Sequence, residues 1–303
     1  MIKKSWIVTI FILLSVVCHG LFRLHYLEIY TGVDTPRPII PANLRIISFS
    51  PAITEMIYIL GLNEYLVGVT KYCSYPPDAR SKQKIGGYYD PNMEAVMRLR
   101  PDYVLLGTEH ISFVEKLRNV GIRSVLLDNS SPEKIMESIL KVGKLFAREK
   151  TALKIDKKIR EKIYSFKQQI RETKKRKVLL VFGEDMSGKV KKKLFAVGND
   201  PFYTPIIELV GGENVLKNTK TRYPLLSHEG IINLNPDIIV ELVQKQETES
   251  DLFDRWSDLK MVKAVREKKV YVLKADYIMV PGPRFPQIAE DLFKLFYDTD
   301  EAS

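Results

Sequence analysis

Cysteine and histidine are scarce: two and four, respectively, in 303 residues. Cys18 falls in an N-terminal apolar stretch, which leaves Cys73 alone in the folded part. No internal disulfide is possible there, and stability must come from the core. His19 and His25 are N-terminal too, so only His110 and His228 remain, one in each half. A zinc or manganese site wants several imidazoles and carboxylates converging, and no spacing supplies them, so no metal site is expected. No Ser-His-Asp or Cys-His arrangement emerges either, because "FSPAI" and "YCSYP" have no base nearby. The stretch "GEDMSGKV" satisfies G-x-x-x-x-G-K after a strand, yet Val190 stands where a phosphate loop needs Ser or Thr to reach magnesium. The residues after it do not read as a helix facing phosphates. The chain is therefore expected not to be an enzyme, with nucleotide hydrolysis as the weak alternative.

Aromatic residues are absent from the two lysine-rich runs, "KKRK" (Lys174 to Lys177) and "KVKKK" (Lys189 to Lys193), to which much of the net charge of +10 belongs. Without rings to stack on bases, these read as solvated faces, and no nucleic-acid partner is expected. The bulk composition, 45% hydrophobic and 28% charged, is that of a folded globular protein with room for two domains.

The N-terminus departs from that composition. Lys3 and Lys4 precede "WIVTIFILLSVV", the layout of a secretory signal or short membrane anchor over residues 1–22. Lipidation at Cys18 after cleavage is a further option, although Val17 occupies the place where a small residue is expected. Residues 23–42, with Pro36, Pro38 and Pro41, read as a linker.

From Leu44 onward, strands alternate with helices. "LRIISFSP" is a strand turning into a helix at Pro51 that ends at Gly61; "YLVGVT", "YVLLG" and "RSVLLD" are further strands. Residues 132–175 change texture, being rich in helix formers. Ile155, Ile159, Ile163, Phe166 and Ile170 step by three and four, giving one narrow apolar stripe, as suits a spine between two lobes. Strand texture then returns with "KVLLVFG", "DIIVEL" and "KKVYVL", and "PRFPQIAEDLFKLFY" closes as an amphipathic helix. The expected fold is α/β, with an N-terminal lobe at 43–131, a helical region at 132–175 and a C-terminal lobe at 176–298. Each lobe carries a mainly parallel sheet flanked by helices.

One short pattern occurs in both lobes: "EAVMRLRPDYVLL" from Glu94 and "EGIINLNPDIIVE" from Glu229. Asn92 and Ser227, two residues before each Glu, suit helix caps, and the glutamates sit in the first turn where the helix dipole favours them. Alternatively, one fixed carboxylate per lobe suits gripping a partner's arginines by bidentate bonds.

The ordered set "RIISFSPAITEM", "VGVTKYCSYPPDA", "IGGYYDPNMEAVMRLRPDYVLL", "VGGENVL", "LSHEGIINLNPDIIV" and "PGPR" resembles the substrate-binding proteins of ABC importers for cobalamin and iron chelates. The resemblance spans about Arg45 to Tyr297. It implies two α/β lobes joined by one long rigid helix, with ligand held between them. It also implies that Glu94 and Glu229 match the glutamates that dock on a dimeric membrane permease. Tyr72, Tyr88, Phe182 and Tyr223 match cleft aromatics, and Asp276 matches a polar contact to the ligand's periphery. Tyr stands here where family members often have Trp. Flat rings and apolar edges suit a corrin, so cobalamin is the expected ligand, with no cofactor besides it. Arg222 and Arg284 suit an anionic ferric siderophore or haem propionates, and Tyr with His110 suits haem iron, which keeps an iron chelate as the alternative. Each Tyr also has a plain reading as a half-buried aromatic. The resemblance implies an exported protein, periplasmic or anchored at the outer face of the cytoplasmic membrane, monomeric when free.

Overall fold

The computed structural model describes residues 40–170, 175–184, 194–243 and 256–297. The expected leader (1–22), nearly all of the linker, the G-x-x-x-x-G-K stretch beyond Glu184 and Lys189–Lys193 lie outside the described residues. Among the described residues, no helix is long and apolar enough to cross a membrane.

In the first lobe, the apolar run after Arg45 forms β1 (Ile46–Ser48), buried along its whole length. Ser50 then turns the chain: its Oγ accepts from the Ile53 N–H at 3.3 Å and Pro51 opens α1 (Pro51–Ile59). Gly61, with φ of +67°, ends it in the left-handed conformation that glycine adopts at no steric cost. β1 is flanked by β2 (Leu66–Val69) and β4 (Tyr103–Gly107), with β3 (Gln83–Lys84) and β5 (Arg123–Leu127) at the edges. Every pairing is parallel. Ile47, Phe49, Val104 and Leu106 are fully buried in one cluster with Val96 of α2 (Met93–Arg98) and Leu117 of α3 (Ser112–Asn119).

Residues 132–170 form two helices, not one. α4 (Pro132–Leu145), capped by Ser131, stops at Phe146, and Ala147 turns back with φ of +51°. A side chain at Gly143 would meet the Ala152 Cβ at 2.4 Å, so glycine lets α4 and α5 (Glu149–Gln169) cross closely. At 21 residues, α5 is about 31 Å long. Ala152, Ile159 and Phe166 are buried on it, while Ile155, Ile163 and Ile170 are half-buried, the thin stripe expected of a connector with one packed face.

The second lobe is built around β6 (Arg176–Glu184), which pairs in parallel with β10 (Ile238–Val243) and β8 (Gly212–Asn214); β11 (Val270–Lys274) adds to β10, also parallel. Beside β6 runs β7 (Leu194–Ala196), antiparallel to it, and β9 (Leu225–Leu226) pairs in turn antiparallel with β7 at the sheet edge. α6 (Tyr203–Leu209), α7 (His228–Leu234) and α8 (Lys263–Arg266) complete this lobe together with α9 (Phe285–Tyr297). α9 also meets the connector, where the Phe166 and Phe293 rings lie 5.6 Å apart.

The repeated pattern builds the same device twice. Asn92 and Ser227 cap α2 and α7, accepting from Ala95 N–H at 3.0 Å and Gly230 N–H at 3.2 Å. After each helix one residue is left-handed, Arg100 at φ of +43° and Asn235 at +42°. Pro follows, then an Asp that clasps the neighbouring strand. Asp102 accepts from the Arg45 N–H and donates its own N–H to the Arg45 carbonyl, both at 2.8 Å. Asp237 does the same to Lys177, with the same distances. The clasp ties each returning helix to the start of its lobe's central strand.

Burial raises the Asp237 carboxyl, but the Lys263 ammonium at 2.7 Å and the Lys177 N–H outweigh it and hold it below the ordinary carboxylate range. A group depressed in this way stabilises the fold above its unfolded value of about 3.9, and that contribution is lost as pH falls through the native value. Asp237→Asn is expected to lower stability by about 1 kcal/mol at neutral pH, with the deficit shrinking in strong acid. Urea unfolding of both proteins at neutral pH and near pH 3 measures it; an equal deficit at both would remove the charge from the account.

Candidate functional site

Four of the residues nominated from sequence lie past, or close to, the carboxyl ends of parallel strands, while Tyr223 precedes β9. Tyr72 follows β2, Tyr88 follows β3, Phe182 is near the end of β6, and Asp276 follows β11. That edge is where open α/β sheets bind ligands, because the strands end there and the loops diverge.

In the first lobe, the Tyr88 hydroxyl donates to Glu109 Oε1 at 2.5 Å, and its ring meets Tyr89 and His110 edge-on at 4.7 and 4.8 Å. Tyr72 is 55% exposed and Tyr89 81% exposed, so both rings are available to a ligand. His110 is not. It is buried behind Tyr88, with Nε2 2.6 Å from the Tyr88 carbonyl and its ring against Phe49 and Phe113. The alternative in which His110 ligates haem iron is therefore not favoured, since the imidazole is a packed core group.

In the second lobe, Phe182 packs edge-on against Tyr223 at 5.4 Å and Tyr203 at 5.6 Å. The Tyr223 hydroxyl donates to Asp200 Oδ2 at 2.9 Å, while the other Asp200 oxygen accepts the N–H groups of Phe202 and Tyr203. Gly198 makes this approach possible, because a Cβ there would lie 2.3 Å from the Thr221 carbonyl. The two lobes are electrostatically in touch across this face. Tyr89 adds to the upward push on the Tyr223 hydroxyl, and Arg222 helps to hold Asp128 low after the stronger Ser130 bonds have overcome its burial.

Tyr88 and Tyr223 thus each face a carboxylate of their own lobe. Burial first, then Glu109 for Tyr88 and Asp200 for Tyr223, pushes both phenols far above their ordinary range. They remain neutral donors at any physiological pH.

Asp276 and Arg284 are brought together, the guanidinium Nη1 donating to Asp276 at 2.8 Å. Arg284 is only 10% exposed, however, and its Nε and Nη2 donate to Glu55 of α1 at 3.0 and 2.6 Å. Burial raises the Glu55 carboxyl, against the pull of the guanidinium. Arg284 thus holds Asp276 instead of offering a free guanidinium to an anionic ligand. Glu94 and Glu229 lie apart from these aromatics in the chain, one per lobe at the first turns of α2 and α7, both exposed. Among the described residues, no three His, Cys, Asp or Glu gather closely enough to hold a metal ion.

Sequence reasoning missed Glu55, Tyr75, Tyr89, Glu109 and Asp200. Glu55 carried a signal, being the sole charge in "PAITEMIYI". The carboxylates under the tyrosines carried none, because the pairing partners are 21 and 23 residues away.

The sequence profile described as "Periplasmic binding protein" matches residues 46–277. A vitamin B12-binding protein of Photorhabdus laumondii is 27% identical over 259 residues, covering 85% of this chain and 89% of that protein. The solved periplasmic vitamin B12-binding protein BtuF of Vibrio cholerae superposes with a TM-score of 0.72 at 21% identity, over 84% of this chain and 97% of that one. The periplasmic haem-binding protein HutB of Vibrio cholerae gives 0.71 at 24% identity, over 84% and 100%. These two structural likenesses carry the fold.

Alkaline titration followed by phenolate absorbance tests the paired tyrosines. Tyr88→Phe and Tyr223→Phe are each expected to leave the amplitude reached by pH 11 unchanged, since the removed phenols do not ionise there. Loss of one tyrosine's worth of signal in either variant would contradict the pairing.

Proposed function

Because the chain belongs to the periplasmic binding protein family, which binds solutes and is not a family of enzymes, we propose that it captures cobalamin between its lobes and hands it to an ABC permease. The observation that carries this reading is the set of rings at or beside the strand ends, Tyr72 and Tyr88 in one lobe and Phe182 and Tyr223 in the other. Two of these rings are oriented by hydroxyls bonded to Glu109 and Asp200, and the Asp276 carboxylate lies past the end of β11. Rings offer wide apolar contact to a macrocycle, and a carboxylate accepts from peripheral amides. The similarity to a vitamin B12-binding protein over most of both chains supports the same ligand.

A ferric siderophore or haem is the second reading, favoured by Arg222, whose exposed side chain faces the Asp128 side of the cleft, and by the fold shared with a haem-binding protein. Cobalamin is preferred because Tyr88 and Tyr223 already donate to carboxylates. That suits a metal whose coordination the ligand itself completes.

Delivery rests on the repeat. Its cap, left-handed residue and Asp all serve the lobe in which they stand, whereas the glutamates do not. Among the described residues, Glu94 pairs with Arg98 of its own helix at 3.2 Å, with both side chains about three-quarters exposed, and such a pair contributes little. Two exposed carboxylates on matching rims suit a permease dimer that offers arginines to each lobe. Export to the periplasm, or anchoring at the outer face of the cytoplasmic membrane, suits this role.

Calorimetry with cyanocobalamin is expected to show tight binding, and Tyr88→Ala and Tyr223→Ala each to weaken it about tenfold, or about 1.4 kcal/mol. Absence of cyanocobalamin binding alongside binding of haem or a ferric siderophore would establish the second reading. Glu94→Ala combined with Glu229→Ala is expected to keep ligand affinity within about twofold and to abolish uptake by cells, the change lying in permease docking alone. Normal uptake by that double variant would end the docking assignment.

A further inference from the structure

Arg284 belongs to the second lobe and Glu55 to the first, 229 residues away in sequence. Between them they form a site to which each lobe contributes one acid and one ring. Glu55 of α1 takes Arg284 through two parallel N–H bonds, and Asp276 takes a third donor at 2.8 Å. The guanidinium lies 3.7 Å from the Tyr75 ring centre of the first lobe and 5.2 Å from that of Tyr277 in the second. Glu55 is 2% exposed, so this pair is out of water, where geometry is rigid and removal of one partner strands a charge.

The loop that carries Arg284 is itself braced. The Tyr277 hydroxyl donates to Asp291 of α9 at 2.5 Å, and the Ile278 carbonyl accepts from the buried Tyr203 hydroxyl at 2.6 Å. At Gly282 the loop presses on α1, where a Cβ would lie 3.2 Å from the Ala52 Cα. A stiff hook from one lobe thus seats in the other.

We propose that Glu55 and Arg284 form an interlobe latch that sets the separation of the lobes, and that Glu55 is a positioning residue which, through Arg284, aims Asp276 at the ligand. The latch itself follows from the geometry alone; its effect on ligand rests on the cobalamin reading. With the lobes held by a saturated ion pair at one place and by α5 at another, the cleft is preset in width, and a ligand meets a formed site.

The test separates the two parts. Nitroxides placed through Asn119→Cys on the first lobe and Lys260→Cys on the second, in a background with Cys18→Ser and Cys73→Ser, report the interlobe distance without ligand. The parent is expected to give one narrow distribution. Glu55→Gln and Arg284→Met are each expected to broaden it, while Asp237→Asn, which weakens the fold away from the latch, leaves it narrow. Should Glu55→Gln fail to fold, the paired Glu55→Met with Arg284→Met removes both charges together and is expected to fold with the broad distribution. Unchanged distributions in all latch variants that fold would overturn the latch. In cyanocobalamin release, Glu55→Gln is expected to speed dissociation at least tenfold and Glu55→Asp to restore part of the loss. Asp276→Asn is expected to weaken binding with the distance distribution still narrow. Broad distances with unchanged release would overturn the positioning role and leave the latch standing. A parent that binds no cyanocobalamin would count against the ligand reading only, since the distances still judge the latch.

Discussion

A guanidinium taken out of water must meet carboxylates, and Arg284 meets one from each lobe. That requirement governs much of what surrounds it. α1 turns its single acid toward the second lobe, Gly282 lets the loop close tightly on Ala52, and Tyr75 and Tyr277 flank the cation. The connector helix cannot set lobe geometry alone, because its buried face consists of Ala152, Ile159 and Phe166 at two-turn spacing. A thin stripe fixes an axis but resists twisting weakly, and a bidentate ion pair away from that axis supplies the missing restraint.

The lobes themselves rest on a quieter interaction. In each, an Asp after Pro holds both backbone groups of the residue leading into or opening the central strand. This explains why a pattern recurs at two distant places when the second sheet is otherwise different, with β7 antiparallel to β6 and β9 antiparallel to β7. The clasp solves one problem common to parallel sheets, which is how to bring a helix back beside the first strand in the correct register. Among the described residues, the glutamates of the pattern take no part in this clasp, and Glu94 pairs with Arg98 of its own helix.

Polar groups at the cleft follow a related economy. Tyr88 and Tyr223 are half-buried or partly exposed rings whose hydroxyls are committed to carboxylates on their own side. A committed hydroxyl fixes ring orientation, and orientation is what a stacking surface needs. The cost is that neither phenol readily ionises and each already donates its one hydrogen bond to a carboxylate, so the rings offer contact surface and not an anionic ligand to metal.

Local chemistry was legible in the sequence wherever neighbours in the chain determine it. Ser50-Pro51 opening a helix, Gly61 closing it, the β-branched strands and the thin stripe on 155–170 are all short-range consequences of backbone sterics and periodicity. The break at Ala147 and the two- and three-residue strands β3, β7, β8 and β9 were not, because so few residues carry no period. Ring positions at strand ends were nameable through motif order. Their partners were not: Glu109 under Tyr88, Asp200 under Tyr223 and Glu55 around Arg284 are brought together only when distant segments pack. A sequence determines what each residue is able to donate, accept or bury. Which groups actually meet was decided by the tertiary structure, since burial removes water as a partner and leaves each charge to find the one counterpart within reach.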